Sequence, residues 1–204
     1  MATVLTLDPL LQGLGPIAKA LGWFPGMNHV CRSWASTSGN VTKIVPMTDN
    51  VFDPKGIARD AGRLDTELRR APATWPDDVV VFGYSRGAQV ACRWLREYGP
   101  NRQGLVQRVS FVLIGNPERG PRFGGSTGRY LDGSPLQYLP TDTRFSVRDV
   151  ARSGDAYADP ADTLRCRPWW TPGGSIHCNY RDVDLDAPPR TFTRVGNVTF
   201  DVVP

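Results

Sequence analysis

Residues 79–99, VVVFGYSRGAQVACRWLREYG, decide the fold of this chain within one short segment. The first six residues, VVVFGY, form a continuous apolar run, which is typical of a β-strand buried on both faces of a parallel sheet. After Ser85, apolar residues recur at helical spacing and the pattern stops at Gly99-Pro100. The segment is therefore predicted to be a strand, a tight turn at Ser85 and an amphipathic helix.

The rest of the chain repeats this alternation of strands and helices. Further strands are predicted over residues 3–7, 42–46, 108–115 and 145–150, the last of them nearer the sheet edge, with a hairpin over 191–203. A helix is predicted to begin at Pro54 and to end at Pro72. We therefore expect a single α/β domain over residues 1–204, with a mainly parallel central sheet and helices on both faces.

Composition and charge exclude several classes of protein. Hydrophobic residues make up 40% of the chain and charged residues 22%, which is ordinary for a globular protein. The net charge of +4 is spread without a run of like charges, so no nucleic-acid partner is expected. The chain has no window of about 18 apolar residues, the length needed to span a membrane. The N-terminus lacks the basic region of a secretion signal, so we expect a protein that works inside the cell, leaves by another route or has lost a leader.

The four cysteines do not indicate a metal site. Their spacing contains no Cys-x-x-Cys, and with only two histidines in the chain neither a metal nor another cofactor is expected. Cys92 falls on the apolar face of the helix after Ser85, where a buried free thiol is expected. Cys166 and Cys178 bracket a loop rich in proline and glycine, and the sequence leaves open whether they form a disulfide.

Ser85 has the surroundings of a nucleophile. A Gly-x-Ser-x-Gly at a strand-to-helix turn presents the serine of an α/β-hydrolase, and glycines are needed because a Cβ there would collide with the neighbouring strand or helix. Gly83 and Gly87 occupy these two places. The backbone N–H of Arg86, at the helix N-terminus, is predicted to face an oxyanion. The alternative is an ordinary serine between two glycines.

A serine nucleophile needs a base and an acid. In this fold class the order along the chain is serine, acid, histidine, which selects His177 because His29 precedes Ser85. Asp155 is the favoured acid because it lies just past a predicted strand on a glycine-containing turn, and Asp159 is the second choice. The alternative for either aspartate is a turn residue bonded to its own backbone. The other candidates between Ser85 and His177 are Glu118, Asp132, Asp142, Asp149 and Asp162.

Four blocks of sequence, GYSRGA, FVLIGNPERG, RDVARSGDAYADP and IHCNY, resemble the cutinase-like serine esterases of actinobacteria and their phages. The resemblance spans roughly residues 79–181 and includes PE-PPE-type hydrolase domains and mycobacteriophage endolysins of the lysin B type. It implies a cutinase-like α/β-hydrolase fold, with Ser85 as nucleophile, Asp155 as acid and His177 as base. It further implies a substrate with a long acyl chain, which in lysin B is the ester joining mycolic acid to arabinogalactan. Only 22 positions separate the acid from the base, as in the compact cutinase arrangement.

Three features remain open at this stage. In the family that the chain resembles, the first strand commonly ends in a turn that supplies the second oxyanion N–H. Pro9 has no N–H, so Asp8 or Leu10 is expected to supply it. Trp169 and Trp170 either roof an acyl pocket or cover the core. The alternatives to an esterase are an acyltransferase or thioesterase on the same scaffold, and a catalytically silent binding or virion structural module.

Overall fold

A single mainly parallel sheet organises the protein. The computed structural model describes residues 2–7, 41–45, 55–74, 78–125, 128–130, 133–159, 177, 180, 183 and 188–204. Within these residues the strands are β1 (Thr3–Leu7), β2 (Val41–Ile44), β3 (Val79–Tyr84), β4 (Val109–Ile114), β5 (Ser146–Arg152), β6 (Thr191–Val195) and β7 (Val198–Val203). Their order is β2-β1-β3-β4-β5-β7-β6, and every neighbouring pair is parallel except the hairpin β6-β7. The predicted α/β fold with a mainly parallel sheet is confirmed.

Two α-helices lie on the same face of this sheet. Helix α1 (Gly56–Thr74) packs against α2 (Arg86–Glu97), and α2 packs on β1, β3 and β4. Among the described residues, Tyr180 and Val183 pack on the opposite face, and no helix there covers that face. Across the described ranges, neither helix has a stretch long and apolar enough to cross a bilayer.

The core follows from the alternation of side chains along the buried strands. In β3, Val79 and Val81 join the cluster beneath the helices, whereas Phe82 and Tyr84 join the cluster on the opposite face. Aromatic rings fill the helix side of the core, where Trp94 of α2 lies 5.5 Å from Phe111 and 5.2 Å from Phe145 between ring centroids. Burial of each phenylalanine stabilises the fold by about 1.5–3 kcal/mol. Cys92 is a free thiol in the same cluster, as predicted.

One local prediction was wrong. Helix α1 continues past Pro72 to Thr74, because a proline removes one helical hydrogen bond without preventing the last turn from forming. Strand β5 lies nearer the sheet edge than the central strand β4, as predicted, and the β6-β7 hairpin adds two more strands beyond it. Two polar residues of β5 form ion pairs with other segments: Arg148 pairs with Asp201 at 2.6 Å and Asp149 with Arg119 at 2.7 Å.

Candidate active site

The turn after β3 holds Ser85 in a strained conformation. Its φ of 53° and ψ of −112° make it the one residue other than glycine with positive φ in the described part of the chain. Such a conformation persists only where the surrounding structure enforces it. The Ser85 amide donates to the carbonyl of Ile114 at 3.0 Å, and α2 begins at the next residue. The strand-turn-helix predicted around Ser85 is therefore present.

The two flanking glycines make room for this turn. A Cβ on Gly83 would lie 2.9 Å from the carbonyl oxygen of Gly87 and 3.0 Å from the backbone of Ala88. A Cβ on Gly87 would lie 2.0 Å from the carbonyl oxygen of Leu7 in β1. Both contacts are with backbone, which cannot move aside without displacing a strand or helix. The steric reason for glycine at both positions is confirmed.

Ser85, His177 and Asp155 form one hydrogen-bonded chain at the carboxyl ends of the parallel strands. Ser85 Oγ lies 2.8 Å from Nε2 of His177. Nδ1 of the same imidazole lies 2.9 Å from both carboxylate oxygens of Asp155. Asp155 is fully buried and His177 is 8% exposed, so this chain is largely shielded from water. A carboxylate, an imidazole and a hydroxyl in this order can move a proton away from the hydroxyl.

The other candidate acids lie elsewhere or outside the described residues. The Asp159 carboxylate accepts a hydrogen bond from the amide of Gly154 at 3.4 Å. Asp149 binds Asn116 at 2.5 Å and Arg119 at 2.7 Å, and Glu118 binds Arg96 at 2.6 Å. Among the candidate acids that the structure describes, Asp155 is the one whose carboxylate is hydrogen-bonded to the imidazole of His177, so it is the one placed to orient it. Asp132, Asp162, His29 and the Trp169-Trp170 loop lie outside the described residues.

The Asp155 carboxylate is kept ionised by its neighbours. The amides of Tyr157 and Ala158 donate to Oδ1 at 2.8 and 3.2 Å, and the Tyr180 hydroxyl donates to Oδ2 at 2.7 Å. Burial acts to raise the pKa of Asp155, but the charge and hydrogen bond of His177 and the Tyr180 hydroxyl outweigh it. The pKa of Asp155 consequently lies below its usual value.

Arg86 is fixed by an ion pair behind the nucleophile. Its guanidinium is buried and donates to the buried carboxylate of Asp60, on α1, at 2.8 Å. The Arg86 amide is the first of α2 and has no acceptor within the helix, so it is available at the helix N-terminus. Asp8 and Leu10, the candidates for a second oxyanion donor, lie outside the described residues, as do Cys166 and Cys178.

The GNPERG block after β4 is a buried polar network. Asn116 and Arg119 both bind the carboxylate of Asp149, while Glu118 binds Arg96 and accepts a hydrogen bond from the Tyr130 hydroxyl at 2.5 Å. Burial raises the pKa of Asp149 despite the opposing charge of Arg119. These bonds join the loop after β4 to β5 and α2. The charged residues of this block therefore have a structural role, because each is bonded to another group of the network.

The buried carboxyl of Glu118 should make the free energy of unfolding depend on pH. Burial raises its pKa from 4.5 to about 7, against the opposing effects of Arg96 and Tyr130. Because the folded protein then binds this proton more tightly than the unfolded chain, the contribution of Glu118 to stability is complete below pH 4.5 and is lost as the pH rises to about 7. The loss should be on the order of 3 kcal/mol in the free energy of unfolding. Urea unfolding at pH values below and above this window measures it.

The matched variants for that measurement are Glu118→Gln and Glu97→Gln. Glu118→Gln should lose this part of the pH dependence whatever its absolute stability. Glu97, which pairs with Arg93 on the outer face of α2, should leave the wild-type slope in place when changed to glutamine. Identical slopes for wild type and Glu118→Gln would show that the buried carboxyl does not titrate in this range.

Sequence reasoning missed two tyrosines at this site. Tyr84 donates its hydroxyl to the backbone carbonyl of His177, and Tyr180 donates to Asp155. Both residues are fully buried. Tyr84 directly precedes Ser85 and Tyr180 follows His177 closely in the chain, which was a signal that they lie near the site. From sequence alone, however, a tyrosine in an apolar strand and a tyrosine in a loop are expected only to pack. Their hydroxyl bonds depend on contacts between distant segments.

Comparisons with known proteins were made for sequence and for structure. The model of the PE-PPE domain matches residues 32–162. Esterase PE16 of Mycobacterium tuberculosis (strain ATCC 25618 / H37Rv) is 31% identical over 112 residues, which cover 52% of this chain and 21% of that protein. The chain therefore spans about a fifth of the length of this curated relative.

Solved structures with the same fold include a cutinase-like protein and an acetyl xylan esterase. A cutinase-like protein from Cryptococcus sp. has a TM-score of 0.55 at 19% identity and covers 79% of this chain and 80% of its own. An acetyl xylan esterase has a TM-score of 0.56 at 12% identity and covers 88% and 90%. Lysin B from mycobacteriophage D29 matches with a TM-score of 0.48 and 19% identity over 76% of this chain and 65% of its own.

Two of these structural matches agree with the architecture of the sheet. The two structures with the higher TM-scores show the same fold as this chain. The family model covers well over half of the 204 residues, from before β2 to just past Asp155. The chain has a cutinase-like α/β-hydrolase fold and belongs to the PE-PPE domain family.

Proposed function

We propose that this protein is a serine ester hydrolase in which Ser85 is the nucleophile, His177 the base and Asp155 the acid. One observation carries the proposal: the unbroken hydrogen-bonded chain from Ser85 Oγ through the imidazole to the Asp155 carboxylate, at 2.8 and 2.9 Å. The strained turn supports it, because strain of this kind is concentrated at functional sites. The relative named Esterase PE16 supports the same reaction class.

The reaction proceeds in two halves through an acyl-enzyme. Ser85 Oγ attacks the ester carbonyl while Nε2 of His177 takes its proton, and the resulting oxyanion accepts a hydrogen bond from the Arg86 amide. His177 then gives the proton to the departing alcohol, leaving the acyl group on Ser85. Water repeats the sequence and releases the acid. Asp155 holds Nδ1 protonated, so that Nε2 faces Ser85 as an acceptor. No step requires a cofactor or a metal.

The substrate class that we propose is an ester with a hydrophobic acyl chain. Tyr157 supports it: the ring is 43% exposed and its centroid lies 4.6 Å from that of the His177 imidazole, so an apolar surface borders the base. The resemblance to cutinase-like and lysin B sequences supports long acyl chains, including mycolyl esters of the cell envelope. The match to an acetyl xylan esterase identifies the rival, a short acyl group on a polysaccharide.

A series of p-nitrophenyl esters from acetate to palmitate tests this specificity. Each methylene of the acyl chain that is buried stabilises the bound ester by about 0.8 kcal/mol. The value of kcat/KM should therefore be at least roughly tenfold higher for the octanoate than for the acetate. A maximum at acetate would contradict the hydrophobic acyl site while leaving the chemistry intact. Product analysis with an added sugar, and turnover of an acyl-CoA, would instead reveal an acyltransferase or a thioesterase. Absence of turnover with every ester would favour a silent binding or virion module.

A further inference from the structure

The hydroxyl of Tyr180 connects β5 to the acid of the site. It lies 2.8 Å from the amide of Arg152, the last residue of β5, and 2.7 Å from Oδ2 of Asp155. An amide N–H can only donate, so the phenol accepts that bond and directs its single proton to the carboxylate. Burial and the charge of Asp155 raise the pKa of Tyr180 well above its usual value. The phenol therefore stays protonated and keeps donating.

The Tyr180 ring is held firmly in this position. Its centroid lies 5.5 Å from that of Tyr84, whose hydroxyl donates to the His177 carbonyl. Both rings and the imidazole converge on Gly115, which has a φ of +54°. A Cβ at Gly115 would come within 3.2 Å of a ring atom of each of the three side chains. The two tyrosines thus form a buried brace around the acid and the base.

The two oxygens of Asp155 are held differently. Backbone amides of the following turn, from Tyr157 and Ala158, donate to Oδ1. On Oδ2, the partners within the described ranges are the Tyr180 hydroxyl and the imidazole. Without Tyr180, nothing described except the imidazole itself would hold Oδ2, and the carboxylate could turn about the bonds to Oδ1.

We propose that Tyr180 is a positioning residue, whose hydroxyl holds the Asp155 carboxylate in line with the imidazole of His177 and withdraws part of its charge. This role rests on the proposed function, in which Asp155 acts through His177. Tyr84 has a different part in the same brace. Its single hydroxyl proton goes to the backbone carbonyl of His177, which makes it a matched control.

The first test compares Tyr180→Phe with Tyr84→Phe. Tyr180→Phe should lower kcat and the rate of fluorophosphonate labelling of Ser85 roughly tenfold, with KM changed less than about threefold. It should also move the acid limb of the rate profile about 0.5–1 unit to higher pH, because a carboxylate with fewer donors holds the imidazolium more strongly. Tyr84→Phe should leave the limb in place. A limb that stays at the wild-type pH in Tyr180→Phe would overturn the proposal.

A second variant guards against a failure to fold. Replacing Tyr180 with 3-fluorotyrosine keeps the shape and strengthens the donor, so the acid limb should move to lower pH. No movement in this isosteric variant would also overturn the positioning role. The proposed function is judged separately, by labelling the wild type: a folded wild type that fluorophosphonate does not label refutes the esterase. Labelling that is lost in Ser85→Ala, together with a wild-type profile in both Tyr180 variants, refutes the positioning role alone.

Discussion

Replacing Ser85 with alanine should lower kcat/KM on a p-nitrophenyl ester by at least about a thousandfold. The substitution removes the oxygen that forms the acyl-enzyme, and no other hydroxyl described in the structure is bonded to the imidazole of His177. Alanine meets the same backbone strain at φ 53° as serine, so the fold should survive. Steady-state kinetics together with a thermal melt measure the two effects separately.

Ser146→Ala is the matched control for that substitution. Ser146 is exposed at the start of β5, at the opposite end of the strand from Arg152 and the turn that carries Asp155. Its loss should change kcat/KM by less than about twofold. Retention of most of the activity by folded Ser85→Ala would remove the nucleophile from the mechanism. Mass spectrometry of fluorophosphonate-treated wild type should find the label on Ser85 and nowhere else in the chain.

Asp155→Asn should lower kcat by roughly a thousandfold or more while leaving KM within about threefold. An amide side chain in place of the carboxylate can donate to Nδ1, which would put the imidazole proton on Nε2. Nε2 would then face Ser85 as a donor and could not take its proton. Loss of the buried charge also removes the partner of the imidazolium that forms in the transition state. Kinetics over a range of pH measure the plateau rate directly.

Asp159→Asn is the control for the acid. Its carboxylate accepts from the Gly154 amide, a bond that an asparagine oxygen also makes, so kcat should fall less than about threefold. The opposite pattern, with Asp159→Asn impaired and Asp155→Asn active, would transfer the role to Asp159. Equal and severe loss in both variants with lowered melting temperatures would point to a structural turn and contradict the assignment of Asp155.

Local pattern alone was enough for the central elements of the fold. The apolar run of β3, the glycines around Ser85 and the apolar face of α2 are read from adjacent residues, and the structure has each of them. The position of β5 in the sheet was harder to predict, because polar and apolar residues alternate in it as they do in an exposed strand. Arg148 and Asp149 satisfy their charges on Asp201 and Arg119, and no feature within β5 itself shows those distant partners.

Sequence by itself therefore determined the parallel sheet and the turn at Ser85, since these depend on local periodicity and local sterics, and order along the chain is what selects His177 in the proposed site. The tertiary structure decided which carboxylate meets the imidazole and which phenols brace it. Eight acids lie between Ser85 and His177 in the sequence, and although the turn after β5 favoured Asp155, spacing alone does not give their distances in space. The parallel pairing of β3, β4 and β5 brings the turns after these strands to one edge of the sheet. At that edge Ser85 is hydrogen-bonded to His177, and Tyr180 to Asp155, although these residues are far apart in the sequence.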